Sequence, residues 1–264
     1  MSVEELDDSP LLLSVITVVR DNAFGFIETL NSLEEQSLSQ FNWVVIDSSG
    51  DKNVIPALLE ASCISADYLW VEPEGIYPAM NLGAHISKGR YLYFLNSGDT
   101  LFNSETLRRV NEGLAATSPL WAFGNVDFWN QKGRKLAEPN WDYFSEQRHR
   151  FARGRFPSHQ GVFVERQTFE TLGGLDTQFS IAADYHMVCQ LSQIETPLEL
   201  GFVVANFTQG GASTLSWRTA QREFRRARKI VFPLNIFDRL EELVFGVKAY
   251  ASHIISSRPS TSGQ

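Results

Sequence analysis

The 264-residue sequence predicts an α/β fold built on a mainly parallel central sheet flanked by helices. Three observations predict it. Short apolar, β-branched runs alternate with segments of helical spacing over residues 11–115. The runs are apolar throughout, as strands buried on both faces are. Three of them stop abruptly in polar clusters: RDNAFG after Val19, DSSG after Ile46 and NSGD after Leu95.

In chain order, Leu11 to Val19 reads as the first buried strand. Phe26, Leu30 and Leu33 follow at i, i+4 and i+7, which predicts a helix. Phe41 to Ile46 is the second strand. Val54 to Glu60 is a helix with Asn53 as its expected cap. Tyr68 to Val71 is the third strand. Ile76 to Ser87 is a helix whose Ala79, Gly83 and Ala84 allow close packing, and Tyr91 to Leu95 is the fourth strand. Ser104 is expected to cap a further helix striped by Leu107, Val110 and Leu114. This order implies right-handed crossovers in a parallel half.

The second half changes character. Trp121 to Trp129 is a strand, and NQKG (Asn130 to Gly133) reads as a hairpin turn. Residues 137–160 lack periodicity and read as loop. A strand is expected from Gln160 to Glu165, then a short helix, GGLD, a helix from Asp184 to Leu191 and a strand from Leu198 to Phe207. Residues 1–10 form an acidic extension. Residues 11–215 form the main domain, divided at 115/116 into a first half (11–115) and a second half (116–215). Residues 216–264 form a basic, then amphipathic helical tail.

Composition narrows the function. A net charge of −8 argues against general nucleic-acid binding, which needs a basic face. Cys63 and Cys189 lie far apart, outside any disulfide framework or zinc spacing, and fit a reducing cytoplasm. MSVEELDDSP lacks the basic and apolar regions of a signal peptide, and no apolar run reaches the roughly 20 residues that span a bilayer. In a parallel sheet, ligands bind beyond the carboxyl ends of the strands. Asp21, Asp47 and Asp99 gather at that edge, either as turn formers or as a binding site.

Six segments in this order resemble the inverting glycosyltransferases of family 2 with the GT-A fold, close to those of bacterial colanic-acid and exopolysaccharide synthesis. They are SVITVVRDN, WVVIDSSGD, EPEGIYPAMNLGAHISKGRYLYFLNSGDTL, SHQGVFV, GGLDTQFSIAADYHM and FTQGGAST, spanning roughly Ser14 to Ser213. The resemblance implies transfer of a sugar from a nucleotide-sugar donor to a saccharide or polyprenyl-linked acceptor, assisted by Mn²⁺ or Mg²⁺, with residues 11–115 as the nucleotide-binding half and residues 116–215 as the acceptor half. Two departures bear on the donor sugar. Pro78 stands where such sequences usually carry Asp, and Arg20 where an aromatic residue is common.

The resemblance assigns Asp99 to the metal and Asn96 to a ribose hydroxyl or phosphate. The alternative for Asp99 is a turn or helix cap. It assigns Asp47, with Thr17 and the segment Arg20 to Asn22, to the donor nucleotide; the alternative for Asp47 is a turn residue. It assigns Asp184 the role of general base, with an ordinary N-cap as the alternative. Asp184 shares a helical stripe with Met187, Val188 and Leu191, so it faces inward, where the helix N-terminus favours its ionised form. His159 and Gln160 line the acceptor cleft, hold the diphosphate, or are structural. Gly210 and Gly211 form a lip of the acceptor site or a turn. The basic loop Arg148 to Phe156 is a solvated loop or a lid. Arg218, Arg222, Arg225, Arg226, Arg228 and Lys229 form a solvated helix face or a surface for anionic lipid, making the protein cytoplasmic with a peripheral membrane contact. Two other readings share the fold: a sugar-nucleotide pyrophosphorylase, which VVRDNAFG matches poorly, and a non-catalytic nucleotide-sugar or glycan-binding protein.

Overall fold

The computed structural model describes residues 11–130, 132–136, 156–208 and 217–232. In chain order these form β1 (Leu13–Val19), α1 (Ala23–Glu34), β2 (Asn42–Asp47), α2 (Val54–Glu60), β3 (Asp67–Trp70), α3 (Ile76–Ile86), β4 (Tyr91–Phe94), β5 (Thr100–Leu101), α4 (Thr106–Thr117) and β6 (Trp121–Trp129). A 3₁₀ turn at His159–Gly161 leads to β7 (Val162–Glu165), α5 (Arg166–Thr171), α6 (Ala183–Ile194), β8 (Leu198–Thr208) and α7 (Trp217–Val231).

One sheet runs in the order β3-β2-β1-β4-β7-β6-β8-β5. Its first four strands are parallel, in keeping with the periodicity. The remainder is mixed. β7 is antiparallel to β4 and β6, β8 is parallel to β6, and β5 is antiparallel to β8. The chain winds from β1 outward to β3, then returns to the other side of β1 as β4. The reversal between β1 and β4 is a topological switch point, where such sheets open a crevice.

Every residue of β1 is buried, and its side chains alternate between two apolar layers. Leu13, Val15 and Val19 meet Phe26, Leu30 and Leu33 of α1 and Leu107, Val110 and Leu114 of α4. Ile16 and Val18 belong to the opposite layer with Met80 and Ala84 of α3 and Val188 and Leu191 of α6. Gly83 permits this approach, because a Cβ there would lie 2.5 Å from Ile16 Cγ2.

Several local expectations are corrected. Asn53 makes no side-chain cap to α2; its own N–H donates to Asp51 Oδ1 at 3.0 Å. The residue that holds the entry to α4 is Asn103 rather than Ser104, since Asn103 Oδ1 accepts from the Glu105 N–H at 3.0 Å. Gln160 lies in the 3₁₀ turn and not in β7. The two-residue β5 carried no periodic signal. The NQKG turn closes with the Gly133 N–H donating to the Asn130 carbonyl at 2.9 Å. Residues 1–10 and 137–155 lie outside the described residues, as do Gly210, Gly211 and the chain after Phe232.

Candidate active site

The loops after β1, β2 and β4 are stitched into one edge. Asp21, at φ 51°, donates its N–H to Ser49 Oγ at 2.9 Å and accepts the Gly50 N–H at Oδ1 at 2.9 Å. Asn22 Oδ1 accepts from Gly25 N–H at the start of α1, while its Nδ2 donates to the Ser97 carbonyl at 3.2 Å. The Gly98 N–H donates to the Gly25 carbonyl at 3.0 Å, and Thr29 Oγ1 donates to the Asp99 carbonyl at 2.7 Å. The polar clusters that end β1, β2 and β4 therefore form a single surface.

Asp47 lies beneath that surface. Its side chain is fully buried, with Oδ1 accepting from Ser49 N–H at 2.8 Å and Oδ2 from Tyr68 Oη at 3.0 Å. Thr17 is also fully buried, and its hydroxyl accepts the Trp43 indole N–H at 3.0 Å. In this structure both side chains brace the core of the edge; the groups nearer solvent are Tyr68 and Trp70. The Trp70 indole donates to the Ser49 carbonyl at 3.0 Å, and Lys52 Nζ sits 3.2 Å from its ring centroid. Neither Tyr68 nor Trp70 was singled out by the sequence reading, although the end of a parallel strand was signal enough.

Across the switch point, five residues converge from four elements. Asp184, in the first turn of α6, accepts from His159 Nδ1–H at Oδ2 at 3.0 Å and from Tyr77 Oη–H at Oδ1 at 3.1 Å. His159 Nε2 faces Asn96 Nδ2 at 3.4 Å. Asp99 follows Asn96 by one turn, its N–H donating to the Asn96 carbonyl at 2.9 Å. Asp184 and His159 are each one-fifth exposed, so the pair is reachable from solvent. Asp184 is the second residue of α6 and not its cap; the cap position is Ala182, which has no side chain to offer.

The electrostatics follow from this packing. Burial pushes the Asp184 carboxyl up, but the His159 hydrogen bond and charge, the Tyr185 N–H and the Tyr77 hydroxyl outweigh it and hold the group below its ordinary value. Burial opposes the charge on His159, yet Asp184 and then Asp99 raise its imidazole above the ordinary value. Asp99 is pushed up to about 7 by burial, against the pull of His159, the Asn96 N–H and the Gln160 side chain. The result is an imidazole whose protonated form is favoured by the carboxylates of Asp184 and Asp99 on either side of it. Gln160 is buried and accepts from Ser158 Oγ, which fixes the turn that presents His159.

Among the described residues, no cluster of three or more His, Cys, Asp or Glu side chains can hold a metal ion. Asp99 offers one carboxylate. Asn96 Oδ1, in the same turn, is buried without a hydrogen-bond partner. That oxygen can serve a cation, or, with the amide turned over, the imidazolium Nε2–H. One carboxylate and one amide oxygen are donors of the hard kind that a divalent ion takes, provided that its remaining ligands come from outside the protein.

The sequence reading missed Tyr77 and Glu223. Tyr77 sits in GIYPAMN, where Gly75 at φ 124° and Pro78 in the first turn set the start of α3. Pro78 occupies a position where its missing N–H leaves no gap in the helix ladder. Glu223 of α7 accepts from the N–H groups of Ser180, Ile181 and Ala182, directly ahead of α6. Arg228 also turns inward. It is buried, and its Nη1 donates to Tyr185 Oη at 3.2 Å, so it is not part of the solvent face expected for the tail.

The fold is GT-A-like, and the proteins to which the chain is similar are glycosyltransferases. No family model matches the chain. Among curated proteins it is similar to an "uncharacterized glycosyltransferase" of Mycobacterium tuberculosis, 26% identical over 208 residues, covering 76% of this chain and 77% of the relative. A "PGL/p-HBAD biosynthesis glycosyltransferase" of Mycobacterium bovis is 26% identical over 223 residues, covering 81% and 82%. Among solved structures, S. aureus TarS 1-349 in complex with UDP superposes with a TM-score of 0.64 at 14% identity, over 91% of this chain and 72% of that one. The same TarS fragment has been solved with UDP-GlcNAc. Against a longer TarS chain the TM-score is 0.58, and this chain spans 38% of its length.

Proposed function

We propose that the protein is an inverting, divalent-metal-dependent glycosyltransferase of family 2 that moves a sugar, of hexosyl type, from a nucleotide sugar to a saccharide or polyprenyl-linked saccharide. The observation that carries this reading is the convergence of Asp184, His159, Asn96 and Asp99 at the switch point of the parallel half-sheet. The likeness to TarS, solved with UDP and UDP-GlcNAc, supports a nucleotide-sugar donor.

In this mechanism Asp184 is the general base. Its carboxylate has four lone-pair directions; Tyr77 and His159 occupy two, and the Tyr185 N–H draws on a third. The remaining one is left to an acceptor hydroxyl, whose proton passes to Asp184 as its oxygen attacks the anomeric carbon. Attack from the face opposite the leaving diphosphate inverts that centre. His159, as imidazolium, orients Asp184 and places positive charge toward the side where the diphosphate leaves. A bound Mg²⁺ or Mn²⁺ would supply Lewis-acid stabilisation of the departing diphosphate. Asp99 and Asn96 are the residues that would hold it. Asp47 and Thr17 support the nucleotide edge from beneath, through Ser49, Tyr68 and Trp43.

Two features bear on where the reaction takes place. No helix among the described residues is long and apolar enough to cross a membrane. The exposed face of α7 carries Arg218, Arg222, Arg225 and Lys229, at i, i+4, i+7 and i+11. Such a stripe suits the anionic headgroups of the cytoplasmic leaflet, where a polyprenyl-linked acceptor would be met. Co-sedimentation with vesicles containing anionic lipid tests this part, and the membrane contact is contradicted if charge reversal along the stripe changes nothing.

The test of the reaction is NMR of the product formed from a nucleotide sugar with a defined anomeric configuration. Inverted product, lost in Asp184→Asn with donor binding retained, is the expected result. Retained configuration contradicts direct displacement. Full turnover by Asp184→Asn removes Asp184 as the base. Donor binding without turnover in the wild type favours the non-catalytic binding protein.

A further inference from the structure

We infer that Glu223, on α7, is a positioning residue for the base helix α6, acting as a clamp from another element on the segment that leads into it. This inference rests on the proposed role of Asp184. The first N–H groups of a helix have no partner within it and are normally met by a side chain at the cap position. α6 begins at Ala183 behind Ala182, and no side chain of its own caps it. Glu223, from α7, holds instead the three residues that lead into the helix, the last of them the cap residue Ala182. Its carboxylate accepts from Ser180 N–H at 3.0 and 3.1 Å, Ser180 Oγ–H at 2.7 Å, Ile181 N–H at 2.8 Å and Ala182 N–H at 3.1 Å. Three successive backbone N–H groups aimed at one anion form a nest. Burial pushes the Glu223 carboxyl up, but these donors hold it below its ordinary value, so it is the anion that fills the nest.

Asp184 stands two residues beyond this nest. The next residue, Tyr185, is held by the same helix: Arg228 Nη1 donates to its hydroxyl at 3.2 Å, and the Phe224 ring lies 4.8 Å from its ring, centroid to centroid. α7 thus grips α6 on both sides of Asp184. The carboxylate reaches His159 and Tyr77 only if the backbone of residues 182–185 keeps its place. The opposite face of α7 is the basic stripe, so one helix joins the outer surface to the residue that takes the acceptor's proton.

The experiment uses the full chain with Glu223→Ala and Glu223→Gln, read in three ways. In Glu223→Ala, kcat should fall by on the order of 100-fold, the effect of a small misplacement of a catalytic group, while donor affinity is unchanged. The amides of Ser180, Ile181 and Ala182 should exchange with solvent faster than in the wild type. The downfield His159 Nδ1–H proton resonance, a signature of its bond to Asp184, should weaken or vanish. Glu223→Gln, which keeps an acceptor oxygen but not the charge, should recover part of all three and serves as the test if Glu223→Ala does not fold. An unchanged kcat and imidazole resonance beside faster amide exchange would reduce Glu223 to a stabilising contact and overturn the inference. Unchanged exchange would overturn it as well. If the wild type transfers no sugar, the functional reading fails, and the imidazole resonance alone still decides whether Glu223 positions Asp184.

Discussion

His159 Nδ1 lies 3.0 Å from Asp184 Oδ2, joining residues 25 positions apart in the sequence. The imidazole is the group that keeps Asp184 ionised against the pull of burial. Replacing it should leave burial to raise the carboxyl. A base must be deprotonated to act, so in His159→Gln the acid limb of the kcat–pH profile should move to higher pH, with a lower plateau. An acid limb that stays in place would show that Asp184 does not depend on His159.

Tyr77 is the second donor to Asp184, at 3.1 Å. In Tyr77→Phe the carboxylate stays ionised through His159 but loses one anchor. We expect kcat to drop about tenfold, or about 1.4 kcal/mol of barrier, with little change in donor affinity. Steady-state kinetics with the donor varied separates the two. A change confined to donor KM would place Tyr77 in the donor site instead.

Stability should depend on pH in a defined direction. Asp99 is raised to about 7 by burial, so the folded state holds its proton more tightly than the unfolded chain does. Its contribution is complete below the ordinary carboxylate range of about 4 and is lost as pH rises through about 7. His159, raised through Asp184 and Asp99, has the same sign and loses its contribution as pH rises past its elevated value. Asp184 and Glu223, both lowered, act oppositely, but only in acid below about 4. The melting temperature of the ligand-free protein should therefore decline from about pH 5 to about pH 8, and Asp99→Asn should flatten the decline. Calorimetry showing a rise over that range would contradict the assignment of Asp99 as a buried, poised acid.

Gly83 tests the packing beneath the site. A Cβ there would meet Ile16 Cγ2 at 2.5 Å. Gly83→Val should push α3 off β1 and cost about 1–3 kcal/mol. Because α3 carries Tyr77, activity should fall along with stability. Denaturant unfolding of the variant measures the first effect, and an unchanged midpoint would contradict the tight contact.

Much of the scaffold was legible in the sequence, because parallel strands and amphipathic helices announce themselves by period. The stripe Leu107, Val110 and Leu114 is buried as its spacing implies. The polar ends of β1, β2 and β4 do share one edge. What stayed hidden is long-range or has no period. Asp184 was visible as an inward carboxylate, but its partners Tyr77 and His159 come from distant elements that meet only in the fold. Asp47 and Thr17 looked like edge residues, yet the structure buries both behind Ser49, Tyr68 and Trp43. Glu223 is one acid in a run of arginines, with nothing local to show that its partners are backbone N–H groups about 40 residues earlier. Two-residue β5 is too short for any period to appear.

The most direct test of the account is binding calorimetry of UDP, GDP, CDP and dTDP, with and without Mn²⁺, on the wild type and Asp99→Ala. One nucleotide should bind, only with Mn²⁺ present, and Asp99→Ala should abolish that metal-dependent binding. Binding of none of the four under either condition would contradict a nucleotide-sugar donor site. Equal binding by Asp99→Ala would contradict the metal role given to Asp99.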